Sequence, residues 1–344
     1  MSSFFAAVLM DTRRVAICEV EMPRLHESQV AVEMLYSGVC GSQLMEFEGR
    51  RGKDLFLPHL FGHEGVGVVQ QVGKGVTKVV PGQRVALTWI KGYGKESPPI
   101  SLKSSVGQVN AGPVSTLTEV AVVAESRVFL IDDGISDQMA VLLGCALPTG
   151  VGMALHSFDD RIHRTVGVFG LGGVGSSTLL ALKALGAECI VISDTNEKKR
   201  AWANRIGVAA ALDPATGPLV EQLQRVGISK LDLVFDCSGS VESMEAGFAS
   251  LSRHGSLVFA SHPPTGQKIS LDPHELILGK SIKGSWGGDL VPEEHSRLII
   301  DQLESLREEI IALLSESYRL DEVENALVDL RDGRVFRPLV CLKK

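Results

Sequence analysis

No stretch of the 344-residue chain is apolar for long enough to span a bilayer, so no membrane-embedded part is expected. Positive charge is not in excess: Lys and Arg number 34 against 41 Asp and Glu, a formal net charge of −7. That balance argues against nucleic acid or an anionic membrane surface as the main partner. Cysteine is sparse and scattered (Cys18, Cys40, Cys145, Cys189, Cys237 and Cys341), so no disulfide framework is expected and a reducing cytoplasm is the default compartment. No basic region precedes the apolar opening "MSSFFAAVLM", which reads as a first strand rather than an export signal. Internal repeats and low-complexity tracts are missing too.

What is present suits an ordinary soluble globular chain, 44% hydrophobic and 22% charged. Its length implies two domains, because single cores stop growing well below it. The 36 glycines suit tight turns and close backbone approach to a ligand. The first third reads as β structure. "QVAVEMLYSGV", "GVGVVQQVG", "KVVPGQRVALTWI" and "LTEVAVVAESRVFLI" are short apolar or alternating runs punctuated by Gly and Pro. Between Lys91 and Thr116 periodicity fades, and a long surface loop is expected. From about residue 149 strands alternate with helices, "RTVGVFGLGGVGSSTLLALKALGAECIVISD" being the clearest unit. That alternation predicts βαβ units on a parallel sheet. The last fifty or so residues return to mixed structure, ending on the strand-like "RPLVCLKK".

"GLGGVG" supplies G-x-G-x-x-G, with Gly170, Gly172 and Gly175 in the three glycine positions and Leu171, Gly173 and Val174 between them. In such a turn the first glycine allows the bend, the second lets a pyrophosphate approach the backbone, and the third lets helix and strand pack closely. The pyrophosphate then sits at the helix N-terminus. The motif follows the strand "TVGVF", opens a helix, and is followed 19 residues after Gly175 by Asp194 at the end of the next strand. An acid there accepts hydrogen bonds from ribose hydroxyls and repels a 2′-phosphate, which favours NAD over NADP. The alternative role for Asp194 is N-cap of the helix beginning near Glu197. Of the basic run Lys198–Lys199–Arg200, Lys199 is a candidate for reaching the ribose.

"GHE", at His63 and Glu64, sets two metal-ligand types side by side, and either a turn into a strand or half a metal site would explain it. A dinucleotide site raises the second reading, since hydride transfer from an alcohol benefits from a Lewis acid. Catalytic zinc takes three protein ligands, Cys₂His among the known sets, and keeps a fourth position open. Cys40 in "GVCGSQ" and Cys145 in "LLGCALPTG" are the candidates, the alternative being small buried apolar residues.

These motifs, in this order with "VVPGQRV" and the closing "GRVFRPLV", resemble the zinc-dependent alcohol dehydrogenase branch of the medium-chain dehydrogenases/reductases over nearly the whole chain. The resemblance implies an α/β architecture. A GroES-like β-rich catalytic domain would comprise residues 1–148 and 289–344, and a Rossmann doubly wound parallel sheet residues 149–288, with the active site in the cleft between them. It implies that Cys40, His63 and Cys145 are zinc ligands, that Glu64 approaches the metal transiently, and that Ser42 begins a proton relay. Thr149 would lie beside the nicotinamide, Arg337 would reach the pyrophosphate, and Trp89 and His59 would belong to the substrate pocket.

The implied partner is a small alcohol or carbonyl compound, and the implied assembly a homodimer or homotetramer. "TWIKG", "FASHPP" and "DPHEL" are similar to bacterial zinc-binding dehydrogenases found with surface-carbohydrate or secondary-metabolite genes. That similarity implies a polyol, sugar or amino-alcohol substrate, with a simple alkyl or aryl alcohol equally admissible. Two rival readings are a zinc-free NAD(P)H-dependent quinone or enoyl reductase on the same fold, and a non-enzymatic NADH-binding sensor.

The chain departs from the family pattern in three places. Lys91 to Thr116 contains no cysteine, so a Cys₄ structural zinc is not expected and a single catalytic zinc per chain is. Gln43 stands where the family usually has an aspartate supporting a ligating histidine; an amide can accept that bond but lacks the charge. Leu44 and Met45 occupy the region where some relatives end the relay with a histidine, leaving the proton exit open.

Overall fold

The computed structural model describes residues 3–343. They divide into two compact units: one takes the chain up to Cys145 with Val291–Ser296 and the segment from Ile311 onward, the other Ala146–Leu290 and Arg297–Ile310.

In the first unit the strand Gln29–Gly38 is the organising element. It pairs antiparallel with Glu64–Val72, with Val120–Ala124 and with the C-terminal strand Arg337–Cys341. Its apolar residues interleave with those of its neighbours to bury Val32, Met34, Val69, Leu87 and Val340 in one core. A second small core (Phe4, Val8, Val20, Leu102 and Val109) fills a barrel closed by the strands Ser3–Asp11, Arg14–Glu21, Ser101–Ser104, Gly107–Asn110 and His59–Leu60.

The barrel corrects the expectation for Lys91 to Thr116. The middle of that segment is a β-hairpin, Ser101–Ser104 paired with Gly107–Asn110. Leu102 and Val109 point inward and Ser, Lys and Gln outward, so each strand carries a single buried apolar residue. Such short alternation is too weak to read as a strand without its partner. The stretch ahead of the hairpin is pinned by carboxylates. Glu125, buried, accepts backbone N–H bonds from Thr77 (2.6 Å), Lys78 (2.8 Å) and Lys95 (3.0 Å), and Glu293 accepts one from Tyr93 (2.5 Å). Burial alone would push the Glu125 carboxyl up; those N–H bonds outweigh it and hold it below its ordinary value.

The second unit is a six-stranded, all-parallel sheet in the order Ala210–Leu212, Cys189–Ser193, Thr165–Phe169, Leu231–Asp236, Leu251–Phe259, Ser281–Gly284. Helices cross between the strands, and Phe169, Val191, Val234, Met244, Phe248 and Leu257 pack into one core. Strands buried on both faces read as unbroken apolar runs rather than alternation, which is why "TVGVF" and "CIVIS" were legible. The doubly wound α/β expectation stands. No helix among the described residues is long and apolar enough to cross a membrane.

Candidate metal centre and dinucleotide site

Strand register assembles the first site. Ser37 pairs with Gly65 and Gly38 with Leu339, so the chain leaving the strand Gln29–Gly38 passes Cys40 beside the residues that enter the strand Glu64–Val72. Glu64 pairs in turn with Thr88, which sets Trp89 next to His63, the two rings meeting edge to face at 6.4 Å and 70°. The Thr88 hydroxyl donates to the Gly144 carbonyl (2.7 Å) and fixes the turn that presents Cys145. Cys40, His63 and Cys145 thus converge, their ligand atoms all within 4.8 Å of one another, and they form the one such cluster found among the described residues. His63 Nε2 lies 3.2 Å from Cys145 Sγ. Zinc with sulfur and nitrogen ligands has tetrahedral edges of roughly 3.5–4 Å. The spacing and the Cys₂His donor set fit such an ion.

The electrostatics of the cluster set its two cysteines apart. A hydrogen bond from Cys145, together with the nearby Arg337 guanidinium and His63, holds the Cys40 thiol well below its ordinary value against the opposing effect of burial. The same bond and burial push Cys145 well above its own. Glu64 and Arg337 form a buried ion pair, their side chains 0% and 3% exposed. Burial pushes the Glu64 carboxyl up with Arg337 opposing, while Glu64 and the two sulfurs keep Arg337 firmly cationic against the cost of desolvation. Glu64 Oε2 and Arg337 Nε remain buried without a hydrogen-bond partner among the described residues.

Space around Glu64 is made by two glycines whose roles were not read from the sequence. A Cβ on Gly38 would lie 2.2 Å from Glu64 Oε1, and one on Gly144 would lie 2.4 Å from the Leu87 carbonyl and 2.8 Å from Glu64 Cβ. Their only sequence signal is that each stands near a candidate cysteine.

Three further residues belong to this unit. Ser42, half-buried on the short helix Gly41–Phe47, has Oγ 3.4 Å from His63 Nδ1. Gln43 departs from its expected role: its Oε1 accepts from the Cys40 backbone N–H (3.0 Å), so its amide nitrogen, not its oxygen, faces His63 Nδ1. His59 has both ring nitrogens engaged, by Asp54 (2.9 Å) and the Leu60 carbonyl (2.8 Å), and is not a member of the cysteine–histidine cluster.

The second unit carries the glycine turn. Gly170 adopts φ +82°, and a Cβ there would meet Ser238 Cα at 2.7 Å. At Gly175 a Cβ would lie 1.9 Å from the Gly170 carbonyl oxygen, so both positions demand glycine. Gly172, by contrast, faces open space, with nothing within 4 Å of a Cβ built on it, and it caps the twelve-residue helix Gly173–Ala184. An open backbone at a helix N-terminus is what a pyrophosphate requires. Leu171 N–H donates to Asp194 Oδ2 (2.6 Å) and Asn196 N–H to Oδ1 (2.8 Å). The helix cap expected as the alternative role of Asp194 falls to Asn196, whose side chain accepts from Lys198 and Lys199 N–H. Each Asp194 oxygen keeps acceptor capacity for a ribose hydroxyl. Arg200 is tied to the Asp194 carbonyl (2.7 Å) and to Asp213 (2.9 Å), and Lys199 is half-buried. Thr149 is buried on the helix Ala146–Ser157.

Residues 26–133 match the alcohol dehydrogenase GroES-like domain and residues 173–305 the zinc-binding dehydrogenase family. Over 372 aligned positions the chain is 30% identical to S-(hydroxymethyl)glutathione dehydrogenase of Saccharomyces cerevisiae, with 97% of this chain and 95% of the relative covered. The chain belongs to the zinc-type medium-chain dehydrogenases/reductases. Membership makes it an oxidoreductase of the alcohol dehydrogenase type. Among solved structures, benzyl alcohol dehydrogenase of Acinetobacter calcoaceticus matches over 100% of both chains with a TM-score of 0.88 at 21% identity. A Sinorhizobium meliloti 1021 protein described as a zinc-binding dehydrogenase and bound to NADP matches with a TM-score of 0.79 at 21% identity, covering 99% of this chain and 100% of that one. Both likenesses bear on the fold alone.

Proposed function

We propose that the protein is a zinc-dependent dehydrogenase that transfers hydride between an alcohol and NAD, forming the ketone or aldehyde, or the reverse. The convergence of Cys40, His63 and Cys145 from three separate chain segments carries this reading. A single zinc held there would lower the pKa of an alcohol hydroxyl and so ease its deprotonation. Ser42 receives the hydroxyl proton at Oγ and passes on its own. NAD, when bound, would supply the hydride acceptor for the carbinol hydrogen, and Thr149 would lie beside its nicotinamide. Trp89, edge-on to His63, walls the substrate from water on that side. Glu64 would approach the metal during ligand exchange, and Arg337 would be the residue that holds the cofactor's pyrophosphate. His59 belongs to the outer substrate pocket.

Asp194 sets the cofactor preference: its carboxylate accepts ribose hydroxyls and repels a 2′-phosphate, so NAD is preferred although the fold also accommodates NADP in a structural neighbour. The Gly170–Gly175 turn would cradle the pyrophosphate and Lys199 would reach the ribose. The substrate is a secondary alcohol, polyol, sugar or amino-alcohol, the compartment cytoplasmic, and the assembly a homodimer or homotetramer. The sheet edge Ser281–Gly284, unpaired on its outer side among the described residues, with Trp286 78% exposed beside it, supports an assembled state.

Elemental mass spectrometry of freshly purified, unchelated protein tests the reading. It should find a single zinc per chain and, with it, NAD reduction by members of an alcohol panel. Zinc-free protein that takes up no added zinc would overturn it.

A further inference from the structure

A histidine that binds a metal through Nε2 carries its proton on Nδ1 and needs an acceptor there. In this chain the residue behind His63 is Gln43, 2% exposed. Gln43 is the third residue of the helix Gly41–Phe47, and its Oε1 accepts the Cys40 backbone N–H at 3.0 Å, the reciprocal arm of a capping box. Its amide nitrogen then donates to His63 Nδ1, and His63 Nε2–H points to Cys145 Sγ at 3.2 Å. These bonds form a self-consistent chain from the Cys40 N–H to the Cys145 sulfur, and that chain requires the proton on Nε2, the atom that would bind metal.

Loading a metal moves that proton to Nδ1. Two donors, the Cys40 N–H and the His63 Nδ1–H, then face an amide with a single acceptor atom. Turning the amide over only exchanges one donor–donor conflict for the other. A carboxylate of the same length would accept both. The remaining acceptor within reach is Ser42 Oγ, 3.4 Å from Nδ1, a long contact that compensates in part.

We propose that Gln43 is a positioning residue that weakens this chain's metal site and makes it readily reversible, and that Ser42 Oγ accepts the His63 Nδ1–H when metal is bound. The inference rests on the metal centre proposed above. With one oxygen lone pair engaged by His63, Ser42 keeps the second for the substrate hydroxyl proton and its own O–H directed away from the ring, free to be passed on.

Zinc affinity of the full-length protein, measured by competition with a chromophoric zinc chelator, tests it without recourse to activity. Gln43→Glu should bind zinc roughly 10–100-fold more tightly than the wild-type protein. Ser42→Ala should weaken zinc binding about fivefold in the wild-type background and hardly at all beside Gln43→Glu, where the carboxylate already serves His63. Nitrogen NMR shifts of His63 in metal-free wild-type protein should report the Nε2–H tautomer. Circular dichroism checks that each variant is folded, and Gln43→Asp serves if Gln43→Glu is not. Unchanged or weaker zinc binding by folded Gln43→Glu or Gln43→Asp would overturn the inference, as would an Nδ1–H tautomer in the metal-free protein. Zinc binding by none of the proteins would instead overturn the metal centre itself.

Discussion

Replacing Arg337 by Met should be among the most damaging single substitutions in the first unit. The side chain is 3% exposed and its partner Glu64 is 0% exposed, so neither can turn to water when the other is removed. Met keeps the aliphatic stem but leaves the Glu64 carboxylate, and the neighbouring Cys40 sulfur, without their cation. Removing one member of a buried pair costs about 3–5 kcal/mol, mostly as the desolvation of the charge left behind. Glu64→Met should cost less, because Arg337 retains the Cys40 sulfur as a counter-charge.

The assay is urea unfolding under chelator, which keeps metal binding out of the comparison. Trp202→Phe and Trp286→Phe in the background leave Trp89 alone to report the unit that holds the pair. At a slope of about 2 kcal/mol per molar urea, Arg337→Met should lower the midpoint by about 2 M. The double variant, an apolar replacement of the pair, should lose clearly less than the two single losses summed. Single losses under about 1 kcal/mol, or losses that simply add, would refute a coupled buried ion pair.

Other substitutions address the remaining elements. Cys145→Ser should abolish alcohol oxidation while NADH binding, followed by fluorescence, survives; unchanged turnover would remove Cys145 from the ligand set. Asp194→Asn keeps one acceptor for the two backbone N–H groups but removes the charge, so NAD binding should weaken roughly tenfold while NADP binding improves, giving a shifted ratio of dissociation constants. Asp236, buried at the end of its strand, has its carboxyl pushed up by burial, with bonds from Ser243 and Ser238 opposing. A raised folded pKa contributes stability that is complete below the ordinary carboxylate pKa and lost as pH rises through the folded one. The stability of Asp236→Asn relative to wild type, read from melting temperature against pH, should therefore climb across that window; a flat difference would contradict the burial argument.

Much of the fold was legible because its signals are local. The glycine turn, the apolar runs of a two-sided parallel sheet and the Gly/Pro punctuation of the β unit all act over a few residues. Cys40, His63 and Cys145 were each visible as motifs, and strand register then brings them together. Interactions that depend on distant partners were not legible. Glu64 and Arg337 are 273 positions apart, and nothing in either segment announces the other. The hairpin Ser101–Asn110 exists because the barrel closes over Leu102 and Val109, each an isolated apolar residue in a polar stretch. Gln43 could be recognised as an unusual residue behind His63, but its facing was set by the Cys40 N–H, a backbone group that takes the only oxygen the side chain has. The cap at Asn196 rather than Asp194 is a similar competition: the Leu171 N–H draws the acid toward the glycine turn and leaves the helix start to its neighbour.

The central claim is that alcohol oxidation here depends on a metal held by Cys40, His63 and Cys145. The most direct measurement strips the protein with a chelator, removes the chelator, and follows NADH absorbance with an active alcohol as zinc is added back. Turnover should be lost on stripping and should recover to saturation at one equivalent of zinc per chain. Turnover that survives complete removal of zinc would contradict it and favour a metal-free reductase on this fold.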